Sequence, residues 1–523
     1  MMTTLLRKIF PACSGLLPAR FWQGHAHQED PQSFPDRVAA YVAVSSAPGY
    51  LPDLARVELA RYQLKSRQPL DFAADAEGYL VNPNLALIQV DWQPLLPLLD
   101  GQPATPQPTG QALLFWRHPQ TGRIHEEPAT AADLLALKIV VERLDPLVVA
   151  RETQQPVGLV DAALDQASER GLLLPPPSRL CRDFPAPAGD AVIPDHWRIA
   201  KTFTLQWHIT HRCDLHCRHC YDRSLRADVA LDHGLDILDQ MRDFCRMHQV
   251  FGQVSFSGGN PFLHPGFLHL YRAAHERNLS VAILGNPVSA SRLDELLQIA
   301  WPSFFQVSLE GLQEHNDRIR GKGSFTAVVD FLDLLRDRQV YSMVMLTLTR
   351  ANLDQVLPLA QLLRDRVDLF TFNRLAMVGE GANLESPGPE EYRAFLADYL
   401  KARETNPAIA LKDSLINILL EQNGHGPFGG CTGFGCGAAF NFVSLLPDGQ
   451  VHACRKFPSL IGDTHRQSLD EIYHGAAAAA YRRGCRQCDD CRLRAVCGGC
   501  LAVTCGYGLD PLAKKDPACF IDS

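Results

Sequence analysis

Six short apolar segments, at 203–209, 254–256, 281–284, 305–309, 343–348 and 370–372, alternate with helical patterns at 231–247, 265–276, 292–299, 325–338 and 353–364. Strands separated by helices pair in parallel, because each helix carries the chain back across the sheet before the next strand begins. The fold class expected is therefore α/β, with a parallel barrel or open sheet. In such sheets functional groups gather at the C-terminal ends of the strands. Directly past the first segment stands the run CDLHCRHCY, which places Cys213, Cys217, Cys220 and Tyr221 at that end.

Three thiolates at this spacing can hold three irons of a 4Fe-4S cube and leave the fourth iron without a protein ligand. An iron left open can bind a substrate or cofactor. A ferredoxin-type set would close all four irons, but the next cysteine, Cys245, lies well beyond the run. Zinc, which wants a closed tetrahedral set, is the alternative, with His211, His216 and His219 close by in sequence. A second cysteine field holds Cys431, Cys436, Cys454, Cys485, Cys488, Cys491, Cys497, Cys500, Cys505 and Cys519, enough for two closed cubes or for one cube and a zinc. Sixteen cysteines in a chain of 523 residues, crowded at metal-ligand spacings, point to reduced thiols rather than a disulfide framework.

Other polar positions fall at strand ends. The second segment runs into SGGNP, where Gly258 and Gly259 permit close approach of backbone to a ligand, followed by Asn260 and Pro261. A tight turn explains the same residues. On the fourth segment the period of two sets Ser308 and Glu310 on one face, suited to a ribose or a polar substrate group, and Asn286 and Asn373 follow the third and sixth segments. The charges of HNDRIRGKGSF also fit a solvated helix start.

The CxxxCxxC run followed by an aromatic residue resembles the signature of the radical S-adenosylmethionine enzymes, over roughly residues 202–377. That resemblance implies a partial (β/α)6 barrel in which Cys213, Cys217 and Cys220 carry the catalytic 4Fe-4S cluster. It also implies an open iron that chelates the amino and carboxylate groups of S-adenosylmethionine, whose cleavage gives a 5'-deoxyadenosyl radical that abstracts hydrogen from the substrate. SGGNP is similar to the family's GGEP motif, with Asn260 in place of the usual Glu; Tyr221, Gly258, Gly259, Asn260, Pro261, Asn286, Ser308 and Glu310 are the cofactor-binding positions this suggests. Arg320 and Gly321 have counterparts in peptide-modifying members.

The pattern of Cys436, Gly449, Cys454 and the later CxxCxxxxxC resembles the SPASM extension, which in full form carries two auxiliary 4Fe-4S clusters. Carried over, it implies Cys431, Cys436, Cys454 and Cys500 for one cluster and Cys488, Cys491, Cys497 and Cys519 for the other. Cys497 and Cys500 depart from the usual CxxxC, and Cys485 and Cys505 compete as ligands. Arg455 follows Cys454 where sulfatase-maturing relatives carry a basic Asp, which disfavours that activity. The run CGAAFNFVSLLPDGQVHACRKFPS, GGNP and the N-terminal extension together are most similar to maturases of the selenobiotic type, associated with thio- or selenoxazole modification of peptides at Cys or selenocysteine. A thioether- or carbon–carbon-crosslinking maturase, and a non-catalytic iron-sulfur regulator, are the alternatives.

Upstream, 112–117 and 122–127 predict a hairpin around HPQTG, Thr130 and Asp133 cap a helix at 131–141, and a further helix spans 159–170. This winged-helix-like recipe resembles elements that hold leader peptides by strand addition. Pro52 opens an amphipathic helix, in a run LPDLARVE similar to accessory proteins of peptide-modification pathways. The expected organisation is a helical docking region at 1–110, the winged-helix-like module at 111–174, a Pro-rich linker at 175–200, the barrel at 201–405 and the SPASM domain at 406–523. A ribosomal precursor peptide and an electron donor such as flavodoxin or ferredoxin are the partners implied. A net charge of −8 without a basic block argues against nucleic acid, and the first apolar run, broken by Arg7, Lys8 and Pro11, neither spans a membrane nor makes a secretory signal, so a cytoplasmic protein is expected.

Overall fold

The computed structural model describes residues 3–23, 30–67, 78–155, 157–183 and 193–521, and the chain divides into two compact units, Met1–Pro177 and Ser178–Ser523. In the first unit a short pair, β1 (Leu80–Val81) and a later strand, accompanies a three-stranded antiparallel sheet of β2 (Leu85–Val90), β3 (Gln111–Arg117) and β4 (Ile124–Pro128), in the order β2-β3-β4. The helices Ala131–Glu142, Pro146–Glu152 and Val157–Glu169 follow, and β5 (Leu173–Leu174) closes onto β1. Leu114 and Trp116 of β3 are buried against Ala136, Leu137 and Ile139 of the first helix and Val160, Ala163, Leu164 and Ala167 of the third. The Thr130 capping box is formed, its hydroxyl accepting from Asp133 N. The helix at Pro52 runs Leu51–Ser66.

The expected hairpin is β3 and β4, but the sheet has a third strand. β2 pairs with β3 along its whole length, Leu85 opposite Trp116 and Val90 opposite Gln111, so the boundary expected at residue 110 cuts a sheet. A hairpin is legible through its short turn; β2 reaches β3 through a long connection that carries no such signal.

The second unit is built on a nine-stranded sheet. β6 (Thr202–Thr210), β7 (Phe251–Gly258), β8 (Ser280–Leu284), β9 (Phe305–Ser308), β10 (Ser342–Leu348) and β11 (Leu369–Arg374) are parallel and lie in chain order, with helices at Leu231–His248, Phe267–Glu276, Ala290–Leu297, Ser324–Asp337 and Val356–Leu363 between them. β6 shows why. Phe203, Leu205, Trp207 and Ile209 are fully buried on one face, while Thr204, Gln206, His208 and Thr210 occupy the other. This is the partial (β/α)6 architecture expected. Beyond β6 the sheet continues with β12 (Phe442–Leu445), parallel to β6, then β13 (Gln450–His452) and β14 (Leu460–Asp463), both antiparallel. The cysteine-rich extension is thus an extension of the barrel's own sheet.

Residues 184–192 of the expected linker lie outside the described residues. Its preceding residues are not a free spacer: Leu180 is buried, Arg179 N donates to His248 O, and Arg182 donates to the Phe434 and Cys436 carbonyls. Proline-rich composition hides periodicity without preventing single side chains from packing. Among the described residues no helix is long and apolar enough to cross a membrane.

Arg374, at the end of β11, joins the barrel to the cysteine field. Its Nε donates to Asp413 at 2.7 Å, and its two terminal nitrogens meet both oxygens of Asp516 at 2.9 and 2.6 Å. Burial pushes the guanidinium down, but the two carboxylates outweigh it and hold it well above its ordinary value. Replacing Arg374 by Met strands two buried carboxylates, and is expected to cost about 3–5 kcal/mol. The check is a lower denaturation midpoint by circular dichroism of the reconstituted protein.

Candidate active site at the mouth of the barrel

The loop that carries the first three cysteines is fixed by the ends of β6 and β7. Gly259 N donates to Thr210 O and Asn260 N to Arg212 O, at 2.9 and 2.8 Å. A Cβ at Gly259 would stand 2.0 Å from Arg212 O, and one at Gly258, whose φ is +123°, 2.0 Å from Thr210 O. Only glycine permits this approach. The pair of glycines expected to meet a ligand therefore first braces the cysteine loop.

Above this brace opens a cavity of about 530 Å³, ample for a nucleotide-sized ligand. Cys213, Cys217, Cys220 and Tyr221 line it, as do Gly258, Gly259, Asn286 and Ser308. Asn260 is buried and its side chain accepts from Phe262 N, capping the turn Pro261–Leu263. The strand β9 ends at Ser308, so Glu310 lies in the following turn rather than on the strand face shared with Ser308. There it is 1 % exposed, bonded to Arg320 Nη1 at 3.2 Å and to Thr347 N at 2.8 Å, with His219 Nε2 3.3 Å away. Arg320 also donates to Asn286 Oδ1. Asn373 lines the cavity. Gly321 closes the helix Gln313–Arg320 at φ +113°, and its Cβ would meet nothing.

Sequence reasoning missed His208, Lys456, Met345 and Thr347, all in the cavity wall. His208 carried a usable signal, since the period of two puts it on the polar face of β6. It is buried, and Tyr221 Oη lies 3.3 Å from its Nε2. Burial first, then repulsion from Arg455, lowers the imidazole to about 3, so it is neutral and accepts from the phenol, which burial raises to about 12. Arg455 and Lys456, next to Cys454, also line the cavity.

The second cysteine field separates into two groups. Cys436 is pushed up to about 12, by burial first and then by its neighbours Cys500, Cys431 and Cys454. Burial would lower the Lys456 ammonium, but the nearby Cys500, Cys454 and Cys431 outweigh it and raise it. Cys488, Cys491, Cys497 and Cys519 surround a separate space of about 20 Å³. Between Cys497 and Cys500 the shortened gap holds Gly498 and Gly499, at φ +70° and +66°. Two successive left-handed residues turn the chain sharply enough to send one cysteine to each group. Of the competitors, Cys485 is buried beside Cys488, and Cys505 lies near Tyr481.

A zinc with Zn–S bonds of about 2.3 Å draws its sulfurs within about 4 Å of one another. Among the described residues, the His, Cys, Asp or Glu set whose ligand atoms converge within 4.8 Å is His248, Asp470 and His474. His211 and His216 bond instead to the Ser224 and Leu215 carbonyls.

Residues 207–363 match the radical SAM superfamily and residues 436–500 match the SPASM iron-sulfur cluster-binding domain. The chain thus carries a radical SAM domain followed by a SPASM domain; it is an enzyme, and its cofactors are 4Fe-4S clusters and S-adenosylmethionine. It is similar to the mycofactocin maturase MftC of Mycolicibacterium smegmatis, 29% identical over 60% of this chain and 82% of that one. It is similar also to the antilisterial bacteriocin subtilosin biosynthesis protein AlbA of Bacillus subtilis, 27% identical over 56% of this chain and 65% of that one. The crystal structure of Streptococcus suis SuiB bound to precursor peptide SuiA shares the fold, with a TM-score of 0.52 at 16% identity, over 79% of this chain and 97% of that one.

Because a Cβ at 259 meets the backbone of His211 and Arg212, directly before Cys213, Gly259→Ala is expected to displace the cysteine loop. Counting iron after anaerobic reconstitution should show about one cube, four irons, fewer per chain than the parent, with the two later groups still filled.

Proposed function

We propose that this chain is a maturase that modifies a ribosomally made precursor peptide. The observation that carries the reading is the cavity itself, whose wall holds Cys213, Cys217 and Cys220 together with Arg455 and Lys456, the two residues after Cys454. A substrate seated there faces both a catalytic and an auxiliary cluster. Cys213, Cys217 and Cys220 hold the cluster with the open iron; Cys431, Cys436, Cys454 and Cys500 hold the first auxiliary cluster, and Cys488, Cys491, Cys497 and Cys519 the second. When bound and reduced, the open-iron cluster supplies the electron that cleaves S-adenosylmethionine to a hydrogen-abstracting radical.

The residues of the chain supply position and shielding. Gly258 and Gly259 bring main chain to the cavity wall, Ser308 offers a hydroxyl and Glu310 fixes Arg320. Tyr221 and neutral His208 form a dry polar contact beneath the cysteine loop. Arg455 cannot accept a proton, so no base acts from the position after Cys454. Passage of electrons from a flavodoxin or ferredoxin into the clusters is part of the proposal, as is a cytoplasmic location.

Support for a peptide substrate comes from the relatives, a mycofactocin maturase and a subtilosin biosynthesis protein, and from SuiB, which binds its precursor SuiA. In the first unit β2 and β4 are the outer strands of a small sheet, each paired on one side only among the described residues, an arrangement to which a strand can be added. We assign leader binding to this sheet. Within the class, oxazole-type modification at Cys or selenocysteine is the finer reading, resting on the resemblance of the 436–459 run.

Replacing Cys213, Cys217 or Cys220 singly by Ala is expected to abolish 5'-deoxyadenosine formation while about eight irons remain on the auxiliary sites; cleavage at the parent rate would refute the assignment. Removing residues 1–177 is expected to spare uncoupled cleavage and to lose processing of a precursor peptide. Processing that survives the truncation would place the leader elsewhere.

A further inference from the structure

Outside the cavity, one group of side chains has the composition of a metal site. His248 is the last residue of the helix Leu231–His248, between β6 and β7, and Asp470 and His474 lie four apart on the helix Leu469–His474, which follows β14. One ligand-capable atom of each lies within 4.8 Å of the other two. His248 Nε2 is 2.8 Å from Asp470 Oδ1, and His474 Nε2 is 3.5 Å from the same oxygen. None of the three lines the cavity that holds Cys213, Cys217 and Cys220.

The scaffold beneath them is set by packing. Leu469 N donates to Gln240 Oε1 at 2.9 Å, which ties the start of the second helix to the first. Tyr473 is buried and meets Phe244 edge to face, with ring centres 5.1 Å apart. His248 is buried as well, its ring centre 4.3 Å from that of Phe244. Its Nδ1 has no hydrogen-bond partner among the described residues, so the ring makes its polar contact through the nitrogen that faces Asp470. Residues four apart share a helix face, which sets His474 beside Asp470 on the exposed side of the group.

Hydrogen bonding alone leaves this group unfinished. Asp470 Oδ1 satisfies one imidazole, while the second, at 3.5 Å, stands beyond the range of a good N–H···O bond. Zn–N and Zn–O bonds of about 2.0–2.2 Å in a tetrahedron put neighbouring ligand atoms roughly 3.3 Å apart. The two observed distances, 2.8 and 3.5 Å, fall on either side of that value. Two imidazoles and a carboxylate favour zinc and its borderline neighbours over calcium or magnesium, which take oxygen ligands. The carbonyl end of the 18-residue helix adds negative potential beside His248.

We propose that His248, Asp470 and His474 bind a zinc ion, with water completing its coordination on the exposed side. The ion joins the barrel helix that follows β6 to the helix that follows β14, and so clamps the iron-sulfur extension to the barrel. It takes no part in the radical chemistry, and the proposal is independent of the precursor-peptide reading.

The test uses the full-length protein with its clusters reconstituted, dialysed anaerobically against micromolar zinc, with zinc and iron both counted. The expected result is about one more zinc per chain in the parent than in His474→Ala or Asp470→Asn, at equal iron. His474 is exposed, and an amide at 470 still accepts from His248, so these two changes spare the packing beneath. Circular dichroism is expected to show a denaturation midpoint that zinc raises in the parent and leaves unmoved in both variants. Equal zinc in all three proteins would put the ion on cysteines and overturns the proposal. So does zinc taken up only in exchange for iron, or a midpoint that zinc raises equally in parent and variants.

Discussion

The buried ion pair of Arg374 with Asp516 and Asp413 is the constraint on which the functional half of the molecule depends. Asp516 accepts from Arg374 with both oxygens and from Cys500 N and Ala518 N at the same time. The last strand of the barrel is thereby fixed to backbone beside Cys500 in one cysteine group and Cys519 in the other. Burial pushes the Asp516 carboxyl up, yet Arg374 and these hydrogen bonds hold it below the usual range, so it stays charged. A buried pair of this kind adds little to stability over an apolar replacement, while its geometry is demanding. Its role here is to set the register between the barrel and the iron-binding loops.

A second coupling acts at the other edge of the barrel. β12 pairs in parallel with β6, Phe442 opposite Thr204 and Leu445 opposite Trp207, and β6 ends at the first cysteine loop. The segment that carries Cys454 leaves β13, next to β12, so one sheet delivers both the first cysteine loop and Cys454. Arg182 completes the join, donating to Cys436 O and lying 4.3 Å over the Phe440 ring. Burial lowers it to about 10, which leaves it charged and able to hold those carbonyls.

Much of the barrel was legible because strand and helix periods differ, and each of the six strands falls where the apolar segments lie. The lost detail has local causes. Glu310 was expected beside Ser308 on one strand face, but β9 stops at Ser308, and the carboxylate serves Arg320 and Thr347 N instead. The third strand of the N-terminal sheet escaped because its partner is distant in sequence. The contacts of Asp214 escaped because an aspartate between two cysteines has no period and no motif of its own; they come from Asn260 and Asn286, just past β7 and β8.

By itself the sequence pointed to the chemistry: cysteine spacing is a short-range property, and three thiols within eight residues offer a ligand set before any fold is known. It also determined the alternation of strands and helices, because burial of an apolar face imposes its period on the residues. Tertiary structure alone decided how the ten later cysteines divide, since Cys497 and Cys500 part company through two left-handed glycines and the pull of Asp516. It alone decided which charges meet. Ion pairs such as Arg374 with Asp516, and the amides gathered on Asp214, join residues far apart in the chain, and electrostatic energy depends on distance in space rather than on position in the sequence.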